Sequence, residues 1–159
     1  MKKIVLTTIA LSLLLTSSAF AAGELGLGAI ATPIFAGTAL ISSPYPSLQY
    51  RFNKNFTGNM GLAIGSRGGD SAFGISLRGA VSLQKKAGVD LLLPFGIDFV
   101  SAGDITTLTL KGGFGVETFI KSNFSVAFDL YPIMLVAPSE GDSSFILLGA
   151  GAIMAHYYL

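Results

Sequence analysis

Residues 89–99 read VDLLLPFGIDF, and their alternation decides the fold. Val89, Leu91, Leu93, Phe95, Ile97 and Phe99 form an unbroken apolar row, while Asp90, Leu92, Pro94, Gly96 and Asp98 occupy the alternate positions. Every second side chain of a strand points to the same face, so the stretch is a strand with one bulky apolar side. The same period runs outward in both directions. Upstream, Phe73, Ile75, Leu77, Val81 and Leu83 oppose Gly74, Ser76, Arg78, Ala80 and Ser82, and Leu48, Tyr50 and Phe52 oppose Ser47, Gln49 and Arg51. Downstream, Leu108, Leu110, Phe114 and Val116 oppose Thr109, Lys111, Gly113, Gly115 and Glu117, and Phe124, Val126, Phe128 and Leu130 oppose Ser125, Ala127 and Asp129. Residues 24–31, 56–64 and 145–159 alternate too, which makes eight strand candidates.

The connections fall into two sets. Residues 53–55, 84–88 and 120–123 are short turns; 32–46, 67–71, 101–104 and 136–144 are more varied and mostly longer. A meander of hairpins with short turns at one end is the layout of a transmembrane barrel. Strands of about nine to twelve residues are enough to cross a bilayer at a tilt. The expected fold is all-β, an eight-stranded antiparallel up-and-down transmembrane β-barrel.

Composition points the same way. Charged residues are 12% of the chain and apolar residues 51%, with 20 glycines among 159 residues; the charged share is about half that of an ordinary globular domain. Mean hydropathy is +0.66. The net charge of +1 has no basic run behind it, so nucleic acid is not an expected partner. No cysteine is present for a disulfide or a thiolate metal site. Lys2 and Lys3, the apolar run Ile4–Leu15 and the small-x-small ending Ala19-Phe20-Ala21 lay out a secretory signal peptide. Residues 1–21 are therefore expected to be the leader and 22–159 the barrel domain, exported to the bacterial outer membrane.

The apolar face is continuous and bulky; its opposite is glycine, alanine and serine punctuated by single charges. A narrow interior filled by its own side chains needs that mixture. Arg51, Arg78, Asp90, Asp98, Lys111, Glu117 and Asp129 are placed in the lumen as an ion-pair network, because buried charges persist only when paired. Aromatics gather at strand ends: Tyr50, Phe52, Phe56, Phe124 and Tyr157 beside the short turns, and Tyr45, Phe73, Phe99 and Phe145 beside the longer loops. Two such belts mark the membrane interfaces of a barrel.

On these features the chain resembles the small outer-membrane barrel families of the OmpA transmembrane domain, OmpX and the opacity proteins. The resemblance spans residues 23–159. It rests on the leader, the eight alternating strands, hairpins such as Tyr50-Arg51-Phe52-Asn53-Lys54-Asn55-Phe56, and the terminal strand Ala155-His156-Tyr157-Tyr158-Leu159. It implies a terminal aromatic signal for the assembly machinery, which Tyr157 fits and Leu159, in place of the usual Phe, does not. Outer-membrane lipid and lipopolysaccharide are the other partners it implies, and a monomer the expected state.

The chemistry-bearing residues are sparse. Some barrels of this kind act on lipid A with His, Ser and an acidic residue. Here the single histidine, His156, lies near the C-terminus at the short-turn end, with no Ser-x-His around it. Asp90 and Asp98 are roughly 26 Å apart along a strand and form no dyad. Gly112-Gly113-Phe114-Gly115 lies within a strand and is not a phosphate loop. No catalytic residue, cofactor or metal site is expected. The expected function is a structural or surface-interaction barrel; a narrow channel for small solutes stands second and a lipid-modifying enzyme third. A helical inner-membrane protein and a secreted soluble β-domain are the competing folds; Pro33 and the alternation that follows it count against the helical one.

Overall fold

A computed structural model describes residues 23–32, 34–36, 39–41, 44–67 and 70–159; residues 1–21, expected to be a leader, lie outside them. Among the described residues there are ten strands: β1 (Glu24–Ala31), β2 (Ile34–Ala36), β3 (Ala39–Ile41), β4 (Tyr45–Asn53), β5 (Phe56–Arg67), β6 (Asp70–Lys86), β7 (Val89–Ala102), β8 (Ile105–Lys121), β9 (Phe124–Pro138) and β10 (Ser144–Tyr158). Eight of them close into one barrel in the order β1-β10-β9-β8-β7-β6-β5-β4. Every neighbouring pair is antiparallel, and chain neighbours are wall neighbours throughout. Closure removes the two free edges that an open sheet of this length would expose.

The faces follow the two-residue period. On β7 the alternation of exposed and buried residues is unbroken from Val89 to Val100. The bulky row Leu77, Leu93, Phe95, Ile97, Leu110 and Leu135 is on the outside, each residue more than a third exposed. The inner face carries the small and polar residues, and an apolar cluster containing Ile30, Tyr45, Ala63, Val100, Met134 and Met154 fills its long-loop half.

Four features differ from the sequence reading. First, β6 and β8 run for 17 residues and β9 and β10 for 15, longer than the nine to twelve expected. The supposed long loop at 101–104 is correspondingly only the Gly103-Asp104 turn, with Gly103 at φ 59°. Secondly, the 32–46 connection contains the two-stranded β2–β3 sheet. Thirdly, Tyr45 belongs to no outer belt: it is 3% exposed and points into the lumen. Its parity with Ser47 and Gln49 dictates this, and Gly61 on β5 leaves room for the ring, since a Cβ there would collide with it. Fourthly, Lys85 is not in a turn but on β6. A bulge between Ser82 and Gln84 shifts the parity by one residue and sets Lys85 opposite Asp90. The turn that follows is Ala87-Gly88, both with positive φ (50° and 80°), the primed geometry whose twist matches antiparallel strands.

The lumen as candidate functional site

Alternation puts the charges inside, and closure decides which of them meet. Arg78 on β6 reaches over two intervening strands to Asp129 on β9: Nε lies 2.5 Å from Oδ2 and Nη2 2.9 Å from Oδ1. This two-point contact is the strong form of a charge-assisted bond. Tyr131 donates its hydroxyl to the same carboxylate at 2.7 Å. Gly115, beside Asp129, is required because a side chain there would strike the Asp129 carboxylate. Lys111 Nζ is 2.7 and 2.8 Å from the two oxygens of Asp98, which also accepts a bond from Ser76 at 2.6 Å. Arg78, Asp98, Lys111 and Asp129 are all at most 7% exposed.

Towards the short turns, Glu117 on β8 accepts from Ser125 (2.7 Å), Tyr158 (3.1 Å) and Gln49 (3.3 Å), the last from β4 on the opposite wall. Arg51 Nη2 is 3.7 Å from Glu117, while its Nη1 pairs at 3.1 Å with the exposed Glu24. The Arg51 guanidinium lies 4.5 Å over Phe119 and 5.0 Å over Tyr158, a cation–π seat that sequence reasoning missed. Asp90 pairs with Lys85 at 2.8 Å rather than with Arg51, Arg78 or Lys111. Lys85, its side chain 43% exposed, thus adds a fourth cation, so that four cations face the four carboxylates. Around Arg51, Thr57, Lys85, Asp90 and Glu117 there is a cavity of about 10 Å³, roughly the room of one water.

His156 is fully buried, and its Nε2 lies 2.9 Å from both Ser47 Oγ and Asn59 Nδ2. The contact crosses β1 because Gly28 has no side chain; a Cβ there would clash with the imidazole. Ser47 and His156 are both inward by parity, but only closure makes them neighbours. Both bonds fall on one ring nitrogen and Nδ1 makes none among the described residues. A hydrolytic Ser–His relay needs an orienting partner on that second nitrogen, so this cluster has the geometry of a packed polar group. Among the described residues no group of three metal-ligating side chains converges.

Outside, a run of ring contacts leads from Tyr50, Phe52 and Phe56 near the short turns to Phe95 in the middle of β7, with centroids 4.8, 5.3 and 6.5 Å apart in sequence order. Phe73, Phe99, Phe145 and Tyr157 are exposed on the outer face, and Phe124 is half-buried.

No protein-family model matches the sequence, and no curated protein matches it. Solved structures do. The solution structure of Escherichia coli outer membrane protein W aligns with a TM-score of 0.56 at 11% identity, over 87% of this chain and 98% of that one. Neisserial surface protein A aligns at 0.49 with 10% identity, over 86% and 96%. Ail, the attachment invasion locus protein of Yersinia pestis, aligns at 0.44 with 16% identity, over 86% and 97%. By its closed up-and-down order of eight antiparallel strands, and by its likeness to protein W, the chain has the fold of the small eight-stranded outer-membrane β-barrels.

Proposed function

We propose that the chain is an exported, monomeric outer-membrane barrel with a structural or surface-interaction role, no catalysis, and a lumen closed by its own side chains. One observation carries this reading: the interior charges are spent on one another. Arg78 and Lys111 each hold a carboxylate at 2.9 Å or less, and both pairs are almost wholly buried. An eight-stranded interior is just wide enough for such side chains to fill it. The bulky outer face then meets lipid, with lipopolysaccharide at the long-loop end, and Tyr157 presents the assembly signal.

Planar-bilayer recording of the purified protein tests the closed lumen. No stable conductance is expected from the wild type. Reproducible single-channel steps that change with Arg78→Ala would replace this reading with the channel one, which the small cavity beside Arg51 and Lys85 favours.

Export by a cleaved leader makes a separate prediction. Small residues at Ala19 and Ala21 fit the signal-peptidase pocket, so the mature N-terminus is Ala22. Intact mass of the membrane-extracted protein checks it; a mass that includes residues 1–21 would rule the leader out.

A further inference from the structure

The exposed charges are sorted by end. Among the described side chains, the exposed lysines Lys54, Lys85, Lys86 and Lys121 all lie at the short-turn end, while Asp104, Glu140 and Asp142 lie exposed in the turns of the opposite end. Lys54 stands in the β4–β5 turn. Lys86 closes the β6–β7 hairpin opposite Val89, and Lys121 closes the β8–β9 hairpin opposite Phe124. A lysine thus marks each of the three hairpin turns on this rim, and the fourth corner is formed by the ends of β1 and β10.

The carboxylates at this end are already taken. Glu24 pairs with Arg51 at 3.1 Å and Asp90 with Lys85 at 2.8 Å, while Glu117 is buried among Ser125, Tyr158 and Gln49. Among the described residues Lys54, Lys86 and Lys121 make no ion pair. Their placement is equally specific. Opposite residues of paired strands share a face, so Lys86 lies on the outer side with Val89, and Lys121 with Phe124. Phe52, 49% exposed on that side, is two residues before Lys54, and its ring lies 5.3 Å from that of Phe56. Each turn is only two residues long: Lys54-Asn55, Ala87-Gly88 and Ser122-Asn123. The three cations therefore stay at the edge of the apolar outer face and do not project from the mouth.

We propose that this rim is a docking surface for anionic phospholipids, in which the ammonium groups of Lys54, Lys86 and Lys121 hold lipid phosphates of the periplasmic leaflet. The inference rests on the reading that the outer face meets lipid. A lysine at such an edge lays its aliphatic stem on apolar surface and keeps its charge at the head-group level, where interfacial aromatics also sit. Anionic head groups attract cations there without any folded pocket. A cell-wall polymer or a periplasmic protein would instead need cations that reach beyond the mouth, which two-residue turns do not supply. The opposite rim carries Asp104, Glu140 and Asp142 and repels an anionic head group, so the preference belongs to one end of the barrel.

The test uses full-length barrel refolded into phosphatidylcholine vesicles, with trace spin-labelled phosphatidylglycerol or phosphatidylcholine. Electron paramagnetic resonance reads the share of each label that the protein immobilises. At low salt the wild type should favour phosphatidylglycerol by at least about twofold. The preference should fall to about one in 1 M NaCl, where charges are screened within roughly 3 Å. Lys54→Gln, Lys86→Gln and Lys121→Gln combined should abolish it, and arginine at the same three positions should keep it. Equal immobilisation of the two lipids by the wild type, or a preference that the glutamine variant retains, overturns the proposal while an inserted, heat-modifiable barrel still stands. Failure of the wild type to insert overturns the lipid-facing reading itself, and this inference with it. Lysine-dependent sedimentation with peptidoglycan sacculi, without the lipid preference, would assign the rim to the cell wall and overturn the lipid proposal.

Discussion

Arg78→Ala should lower the unfolding free energy by about 3–5 kcal/mol, because it strands the Asp129 carboxylate in a dry interior. Asp129 is fully buried and Arg78 is its only cationic partner among the described residues. Tyr131 would still donate to the carboxylate, but one hydroxyl does not neutralise a charge. Removing both charges separates stranding from lost packing. Arg78→Met combined with Asp129→Leu should recover most of the loss, since a well-packed apolar pair is often as stable as the ion pair it replaces. Glu24→Gln, at the exposed end of the Arg51 pair, should cost no more than about 1 kcal/mol. Urea titrations in lipid vesicles check all three. Equal effects at Arg78 and Glu24 would mean that the interior is hydrated.

The second large effect is on the outer face. Leu93 is 41% exposed there, four residues from the start of β7. That is about 13 Å along the strand, close to the midplane of a tilted span. Leu93→Arg should cost about 2–4 kcal/mol there, and Val89→Arg, at the strand's end, about 0–1. Refolding and urea unfolding in vesicles measure both. If the two substitutions cost the same, the outer face does not meet hydrocarbon.

The interior network also explains why so few side chains are large. Gly115 makes room for the Asp129 carboxylate and Gly28 for the imidazole of His156. Each of these two polar groups lies over an adjacent-strand position that has no side chain. Substituting either glycine would displace a buried bond, so small size at these sites is part of the network's geometry.

The strands and the faces of their side chains were legible in the sequence, because both depend on a period of two that is local to each segment. Residues 89–99 alone give β7, its outer row and its two inward aspartates. The inward placement of Arg51, Arg78, Lys111, Glu117 and Asp129 follows from the same rule. Their partners do not. Arg78 meets Asp129, Gln49 meets Glu117, and Ser47 meets His156 only because the sheet closes and brings distant segments to opposite walls. Tyr45 was legible by parity, but its place near a strand end suggested a belt; the space left by Gly61 takes the ring inside. Lys85 could not be read at all, since one bulged residue reverses the faces beyond it, and where a ladder bulges is settled by strand against strand. Period is a property of neighbours in the chain, whereas pairing across a lumen is a property of the closed barrel, and the tertiary structure alone decides it.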